Sequence, residues 1–159
     1  MITLRPLAAG DVDVVFRWEN LPELWQVSEQ TGPFSREEIF EFHSRCIDSS
    51  NHEITRWLIC CDSIPIGAVD VFDFDRKSGN CGLGIFIADS HMRRKGHATK
   101  ALALALGLLQ NEGCVLVKAI IYDDNSESIR LFIRAGFIAG GSFTYKGKPA
   151  HQYICNLSK

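Results

Sequence analysis

The chain has 159 residues, of which 46% are apolar and 23% are charged. These values are ordinary for a globular protein, and the length fits one domain that buries about two thirds of its unfolded surface. Seventeen basic residues against nineteen acidic ones give a net charge of −2, which disfavours a dedicated nucleic-acid binder, since such proteins are usually basic. We therefore expect a single domain over residues 1–159.

The amino-terminal half predicts strands joined to two short helices. A proline stops the first strand, carboxylates open the first helix, and a capping box that starts at Ser35 opens the second. We expect Ile39, Phe40, Phe42 and Cys46 to supply the apolar face of this second helix. In chain order the predicted elements are a strand at 2–5, helices at 11–18 and 35–47, and strands at 53–61, 64–74 and 81–88.

The carboxyl-terminal half predicts two more helices and three more strands. The helix after Gly96 is apolar nearly all round, so we expect it to be deeply buried against the sheet. A continuous apolar run at 114–121 is typical of a strand that is covered on both faces. A helix at about 126–135 and strands at 137–145 and 150–157 follow. Together the elements indicate an α/β fold, with helices on both faces of a mixed, largely antiparallel sheet of about seven strands.

A basic turn that contains a glycine stands between the strand at 81–88 and the apolar helix. It runs from His91 to Lys100 and includes Gly96. The first N–H groups of a helix have no intrahelical acceptor, the helix dipole is positive there, and glycine permits close approach to the main chain. The turn therefore predicts an anion site. A solvated surface run and a nucleic-acid patch are the alternatives.

A second block, from Asn125 to Phe137, follows another apolar strand. Together with Arg93-x-x-Gly96-x-Ala98, it resembles the two signatures of the GNAT superfamily of N-acetyltransferases. The first signature is the acyl-CoA pyrophosphate motif, (Gln/Arg)-x-x-Gly-x-(Gly/Ala), and the second is Asn-x-x-Ser/Ala-x-x-Leu-Tyr…Gly-Phe. The resemblance covers nearly the whole chain, and it extends to the subgroup that contains spermidine and ribosomal-protein N-terminal acetyltransferases.

The resemblance implies that acetyl-CoA binds in a V-shaped gap where the strand at 83–88 splays from the strand at 114–121. It further implies direct acetyl transfer to a primary amine in a ternary complex, without a metal. A backbone N–H of the first strand would polarise the thioester carbonyl. The implied cofactor contacts are Phe86, Ile87 and Ala88 for the pantetheine arm, Arg93, Arg94, Lys95, Gly96, His97, Ala98 and Thr99 at the diphosphate turn, and Asn125, Ser128 and Phe132 on the next helix.

The chain departs from the family pattern where catalysis is usually assigned. Phe132 stands where many members carry the tyrosine that reprotonates the leaving thiolate, and a phenyl ring cannot donate that proton. The strand position that often holds a glutamate base corresponds to Leu83 or a neighbour, none of which is acidic. We expect Phe132 to lie beside the thioester sulfur as packing, with the proton leaving through water or from Tyr122. No catalytic residue is otherwise assigned.

The acceptor amine is left open by the sequence. An alkylamine with a pKa of about 10.4 is mostly protonated at pH 7, and deprotonating it costs roughly 4 to 5 kcal/mol. An α-amino group has a pKa near 8, only about one unit above pH 7, so its deprotonation costs much less. Without an evident base, the amine of lower pKa is the easier substrate. Asp70 is a candidate substrate contact, because strand alternation places it in mid-strand on the face of Phe72 and Phe74. Its alternative is a structural carboxylate that is satisfied by a partner.

Other titratable side chains are candidates for contact with the amine. His43 is a candidate helper, although it stands among the apolar residues of the second helix. Four acids, Glu23, Glu29, Glu37 and Glu38, lie in the region that lines the acceptor site in relatives. They would attract an amine there, or would instead cap the helix and keep the surface polar.

Three classes of function remain: an N-acetyltransferase, a non-catalytic acyl-CoA sensor or scaffold, and a nucleic-acid protein built on the basic turn. Overall charge disfavours the third, and we favour catalysis because positioning and a backbone dipole supply much of the rate. The cysteines lack metal-ligand spacing and no apolar run is long enough to span a bilayer, so we expect a soluble cytoplasmic protein without membrane or nucleic-acid partners. Polyamines, protein N-termini, amino sugars and aminoglycosides all remain candidate acceptors, and a homodimer is compatible with the sequence.

Overall fold

The computed structural model describes residues 1–25, 32–48, 50 and 53–158. The described residues form one mixed sheet whose strands are β1 (Ile2–Pro6), β2 (Ile54–Cys61), β3 (Ile64–Asp75), β4 (Asn80–Ile87), β5 (Leu116–Tyr122), β6 (Ile138–Tyr145) and β7 (Lys148–Asn156). Their order in the sheet is β1-β2-β3-β4-β5-β7-β6. Neighbouring strands are antiparallel, except that β4 and β5 are parallel. The predicted mixed, largely antiparallel sheet is thus confirmed.

Helices cover both faces of this sheet. The described residues form α1 (Val12–Glu19), α2 (Pro22–Trp25), α3 (Arg36–Ile47), α4 (His97–Asn111) and α5 (Ser126–Arg134). The single turn α2 was not predicted, but it begins with a proline, which is favourable at the first position of a helix. The capping box of α3 is present, since Ser35 accepts the N–H of Glu38 and the Glu38 carboxylate accepts the N–H of Ser35. None of the helices formed by these residues is long and apolar enough to cross a bilayer.

The core lies on both sides of the sheet because side chains alternate along each strand. Leu58 and Cys60 of β2 pack in one cluster with Val15 of α1 and Ile39 of α3. Ile59 points the other way, into a cluster with α4. Burying each large aliphatic side chain stabilises the fold by about 1.5–3 kcal/mol. The two clusters therefore fix the central strands from above and below.

The buried face of α3 differs from the prediction at one residue. Ile39, His43 and Cys46 are buried, at the spacing i, i+4, i+7 that one helix face requires. Phe40 follows Ile39 by one residue, which turns it about 100° away, and it is 62% exposed. The assignment of Phe40 to the apolar face was therefore wrong.

Two elements are less buried than their apolar sequences predicted. In α4, Leu104 is 43% exposed and Leu108 is 42% exposed, and in β5 Ile120 is 47% exposed. The physical reason for β5 is that α1 and α3 extend over β2, β3 and β4 only. Within the described residues, the cluster that they form contains no residue of β5, β6 or β7. β5 is thus covered by helices on one face, whereas we predicted both.

The end of β3 changes face at a bulge. The β3–β4 register shifts between Phe72 and Asp75, and Asp73 has a positive φ of 49°. An extra residue in one strand reverses the alternation beyond it. Phe72 therefore stays on the face of Asp70, whereas Phe74 packs into the cluster with α4. The prediction that all three share a face was wrong for Phe74.

The cysteines are free thiols, and all but Cys61 are buried. The Sγ atoms of Cys81 and Cys114 lie 3.6 Å apart. Burial raises the pKa of Cys81 to about 12, so the thiol is protonated and unreactive at neutral pH. The cysteines therefore act as small hydrophobic residues in the core, as predicted.

His43 is expected to cost the fold stability. It is 2% exposed, and neither of its ring nitrogens has a hydrogen-bond partner among the described residues. We expect His43→Leu to raise the free energy of unfolding by about 1 kcal/mol, because an apolar side chain removes two unsatisfied buried groups. Urea unfolding of the variant checks this. His43→Gln, which keeps polar atoms at the site, is the matched control and should bring no gain, and a destabilised Leu variant would contradict the prediction.

Candidate active site

A gap opens in the sheet between β4 and β5. The two strands pair in parallel at Asn80–Leu116, Cys81–Val117 and Gly82–Lys118. Beyond these pairs β4 continues to residue 87 and β5 to residue 122, and the register contains no further pair between them. The carboxyl-terminal halves of the strands therefore diverge, as the predicted V-shaped gap requires.

Two residues of β4 direct their backbone groups into this gap. Ala88 donates its N–H to the carbonyl of Ile66 at 2.7 Å, on the side of β3. Hydrogen-bonded positions alternate along an antiparallel ladder, so Phe86, two residues earlier, also faces β3. Ile85 and Ile87 therefore point their backbone groups toward the gap. Of the three residues predicted to contact the pantetheine arm, Phe86, Ile87 and Ala88, Ile87 therefore points its backbone groups toward the gap, whereas those of Phe86 and Ala88 face β3.

The start of α4 has the geometry of an anion site. Gly96 is the residue that caps the helix, with a φ of 81°. A Cβ atom added at this glycine would meet no protein atom within 4 Å, so the space beside it is open. The next three residues, His97 to Thr99, begin the helix, where backbone N–H groups have no intrahelical acceptor. Several N–H donors and the positive end of the helix dipole therefore face one open space.

Arg93 ties this turn to the end of β4. Its Nε donates to the carbonyl of Ile87 at 2.9 Å, and Nη2 donates to the carbonyl of Ala88 at 3.5 Å. The guanidinium is therefore occupied by the protein's own backbone. Arg93 acts on the shape of the site, by fixing the strand edge relative to the helix start.

The strand edge, the turn and α5 enclose a cleft of about 520 Å³, a volume typical of small-molecule sites. Glu23 and Leu24 of α2 close one end. On α5, Arg130 and Arg134 line the wall together with Leu131. Two more cations, Arg93 and Arg94, come from the opposite side, so the cleft suits an anionic ligand.

The GNAT model, which describes an acetyltransferase domain, matches residues 1–138, from β1 to the first residue of β6. The chain belongs to the GNAT acetyltransferase family. Over 83 residues it is 32% identical to a probable spermine N(1)-acetyltransferase of Bacillus subtilis subsp. natto (strain BEST195). That match covers 52% of this chain and 55% of the relative, so it spans about half of the relative's length.

Solved GNAT structures share the whole fold. A Vibrio cholerae spermidine N-acetyltransferase in complex with CoA and spermine has a TM-score of 0.90 at 18% identity, over 99% of this chain and 96% of that one. A ribosomal-protein α-N-acetyltransferase with coenzyme A has a TM-score of 0.87 at 16% identity, over 98% and 93%. An aminoglycoside acetyltransferase with coenzyme A has a TM-score of 0.84 at 18% identity, over 98% and 95%. At these identities the likeness establishes the fold.

Most of the side chains that the GNAT resemblance implied as cofactor contacts line the cleft. They are Phe86, Ile87, Arg93, Arg94, Gly96, His97, Ala98, Thr99, Asn125 and Ser128. The structure places three others away from this lining. Lys95 is exposed on the turn, Ala88 is buried in the cluster with α1 and α3, and Phe132 is buried in the cluster with α4.

Phe132 differs most from its predicted position. It is 3% exposed and packs edge-on against Phe137, with ring centroids 4.9 Å apart. The helical period explains this, because Ser128, Leu131 and Arg134 form the α5 face that lines the cleft. Phe132 follows that face by one residue and turns into the core.

We expect Phe132→Tyr to lower the free energy of unfolding by about 1–2 kcal/mol, because the added hydroxyl enters a packed apolar environment. Turnover per folded enzyme should equal that of the parent. Thermal unfolding and steady-state rates with the same amine check both points. Phe137→Tyr, at the neighbouring buried ring, is the matched control. A Phe132→Tyr variant that is fully stable and faster than the parent would instead place this ring at the gap.

Neither Leu83, which stands at the strand position of the family's glutamate base, nor Tyr122, the candidate acid, lines the cleft. Leu83 is buried on the α4 side, so the opposite face of β4 carries Gly82 and Gly84, which Phe72 covers. Tyr122 ends β5 and is buried beneath Lys148, whose Nζ lies 4.6 Å from the ring centroid. The role of Tyr122 as an acid stays a prediction.

Asp70 has a protein partner. Its carboxylate accepts two hydrogen bonds from Arg56, at 2.7 Å from Nε and 2.8 Å from Nη2. Nη1 of the same arginine donates to Glu19 at 2.9 Å. This is the arrangement expected of the structural alternative. Four acids were considered for the amine. Glu23 lines the cleft, Glu37 is exposed in the first turn of α3, Glu38 caps that helix, and Glu29 lies outside the described residues.

Proposed function

We propose that this protein is an N-acetyltransferase that moves the acetyl group of acetyl-CoA to a primary amine. The observation that carries the proposal is the cleft that joins the unpaired edge of β4 to the start of α4. One end offers backbone groups to an extended thioester arm, and the other offers N–H donors to a diphosphate. Family membership and the CoA complexes of structural relatives support this assignment.

In this proposal, backbone N–H groups both bind the cofactor and stabilise the charge that develops during the reaction. The N–H of Ile85 or Ile87 donates to the thioester carbonyl and stabilises the negative charge that develops on its oxygen. The N–H groups of Gly96 to Thr99 hold the diphosphate. The amine nitrogen attacks the carbonyl carbon, the C–N bond forms, the C–S bond breaks, and the amine proton leaves to solvent. The leaving thiolate is the conjugate base of a thiol with a pKa of about 8.5, so it leaves readily near neutral pH. The reaction therefore does not require an acid at position 132.

The acceptor in this proposal is a small amine or the amino terminus of a protein. Relatives support both classes, since their names specify spermine, spermidine, an aminoglycoside and a ribosomal protein. Glu23 is the acid that we assign to the amine, because it lines the end of the cleft that α2 closes. A carboxylate there attracts a cationic substrate.

We propose that residues 1–159 act as one unit in the cytoplasm. The unit extends past the match at residue 138, because β7 pairs with β5 inside the sheet. The free thiols support a reducing compartment.

A thiol-release assay with acetyl-CoA tests the proposed activity. The amine panel contains spermine, spermidine, an aminoglycoside and a peptide with a free amino terminus. We expect turnover with at least one amine. Below the amine pKa, the rate should rise about tenfold per pH unit for alkylamines, because only the neutral amine attacks. Normal acetyl-CoA affinity without transfer to any amine would contradict the proposal and favour the sensor or scaffold alternative.

A further inference from the structure

We propose that Arg56 is a positioning residue for acetyl transfer, which acts through Phe86 and sets the edge of β4. The inference rests on the proposed function. Arg56 stands in the middle of β2 and is 3% exposed, so it makes no contact with solvent-borne substrates. Its guanidinium contacts side chains of four other elements, α1, α3, β3 and β4.

The carboxylates around Arg56 hold its guanidinium in one orientation. Asp70 of β3 takes two parallel hydrogen bonds, and Glu19 at the end of α1 takes a third. A bidentate pair fixes the plane of the guanidinium as well as its position. Burial acts to lower the pKa of Arg56, but the charge of Asp70, its hydrogen bonds and the charge of Glu19 together raise it above its ordinary value. Arg56 therefore stays charged and fixed.

Two aromatic rings enclose this guanidinium. Its Cζ lies 5.0 Å from the ring centroid of Phe42 in α3 and 5.2 Å from that of Phe86 in β4. Trp18 of α1 meets the Phe86 ring edge-on, with centroids 5.9 Å apart and an angle of 89°. The Phe86 ring is thus held by a cation and by an indole, and cation–π contacts of this kind strengthen when they are desolvated.

Phe86 connects the fixed guanidinium of Arg56 to the backbone at the gap. It lies between Ile85 and Ile87, whose backbone groups face the gap. In this part of β4, β3 is the one neighbouring strand among the described residues, because the pairs with β5 end at Gly82, and on the gap side Arg93 holds the carbonyl of Ile87. A strand with one neighbour is free to twist about that neighbour. The fixed ring of Phe86 restrains that twist and so orients the N–H groups of Ile85 and Ile87.

The contacts of Arg56 also hold the end of the cleft that α2 closes. The Glu19 carboxylate bonds to Arg56, and the Glu19 carbonyl accepts the indole N–H of Trp25 at 2.8 Å. Trp25 ends α2, whose residues Glu23 and Leu24 line the cleft. Arg56 therefore fixes the strand edge and α2 relative to each other.

Stability alone is a weak reason for this cluster. It buries one positive and two negative charges, and well-packed apolar residues often stabilise a core as well as a buried ion pair does. A role in orienting Phe86 and the edge of β4 accounts for both the buried charges and the two stacked rings. Displacement of a reacting group by about 1 Å is enough to slow an enzyme by up to about a hundredfold.

Arg56→Lys tests the inference, because lysine keeps the charge but loses the planar, bidentate and stacked contacts. With an amine that the parent acetylates, we expect kcat per folded enzyme to fall about tenfold, while the Kd of acetyl-CoA, which depends mainly on the turn, changes less than about threefold. Arg76→Lys is the matched control. Arg76 also stacks on a ring, that of Phe74 at 4.5 Å, and also pairs with a carboxylate, that of Glu112, but it lies away from the cleft.

A double-mutant cycle separates positioning from general destabilisation. Phe86→Leu should lower kcat in the parent but add little in the Arg56→Lys background, because both changes remove the same contact. Phe86→Leu and Arg76→Lys should be additive. Amide hydrogen exchange at Ile85 and Ile87, measured with coenzyme A bound, should be faster in Arg56→Lys than in Arg76→Lys.

Each outcome decides the inference. Equal kcat and equal amide exchange in Arg56→Lys and Arg76→Lys would overturn it, while turnover by the parent would leave the proposed function intact. A parent without turnover would remove the proposed function, and the exchange rates would then decide the role of Arg56. If Arg56→Lys does not fold, Phe42→Leu, which removes the second ring and leaves the ion pairs, should show the same loss of kcat. An unchanged kcat in Phe42→Leu would then count against the inference.

Discussion

Gly96→Val is expected to weaken acetyl-CoA binding at least tenfold, about 1.4 kcal/mol, and to leave the fold intact. The φ of 81° costs a residue with a side chain about 1–2 kcal/mol of stability. No protein atom stands within 4 Å of the new Cβ, so the protein itself accommodates the side chain. The valine instead fills the space through which a diphosphate approaches the first N–H groups of α4. Titration calorimetry with acetyl-CoA, together with thermal unfolding, measures both effects.

Gly113→Val is the matched control for this substitution. Gly113 follows the other end of α4, has a φ of 91°, and also has no atom within 4 Å of an added Cβ. Its backbone strain is therefore comparable, but it does not line the cleft. We expect the two variants to lose similar stability and only Gly96→Val to lose affinity. Equal acetyl-CoA affinity in the two variants would contradict the placement of the diphosphate.

Arg134→Glu is expected to weaken acetyl-CoA binding by about tenfold at low salt. Arg134 is exposed in the wall of the cleft, and the substitution turns an attraction to the phosphates into a repulsion. Because solvent and salt screen an exposed charge, the loss should shrink as ionic strength rises. Titrations of the Kd at several salt concentrations test the size and the origin of the effect.

Arg17→Glu gives the same change of net charge at an exposed position of α1 that does not line the cleft. It should leave the Kd within about twofold of the parent, since a distant surface charge is largely screened. A loss of equal size in both variants would mean that net charge governs affinity, and it would remove Arg134 from the site.

Local patterns in the sequence predicted the elements well. Ser35 and Glu38 supply a capping box, and Gly96 adopts a φ of 81°, which glycine accepts without steric cost, so each signal lies within a few residues of its effect. The cleft-lining arginines of α5, Arg130 and Arg134, were missed although the signal was present. Arg134 lies i+3 from the motif residue Leu131, and Arg130 lies four residues before Arg134, so applying the helical period to the whole second block would have placed both arginines along the wall that Leu131 lines.

The pairing of Arg56 with Asp70 was not predicted from the sequence, for a different reason. β2 and β3 meet in a tight turn, and the first pairs, Cys61–Ile64 and Cys60–Pro65, predict that Arg56 faces Val69. A register shift between residues 59 and 60 moves every later pair by one, which brings Arg56 opposite Asp70. Pro65 and Gly67 flank the shifted position and are residue types typical of bulges, but they do not by themselves give the number of extra residues. The second bulge, at Asp73, reversed the face of Phe74 in the same way.

The divergence of β4 from β5 also couples ligand binding to the stability of the sheet. The pantetheine arm of CoA contains two amides, which in the proposed complex serve as a short surrogate strand on the open edge of β4. Free energy of binding then adds directly to free energy of folding, by about 2.7 kcal/mol when the ligand is present at a hundred times its Kd. The central strands of this protein should therefore unfold at a higher temperature in the presence of excess coenzyme A, and thermal unfolding with and without the ligand measures this shift.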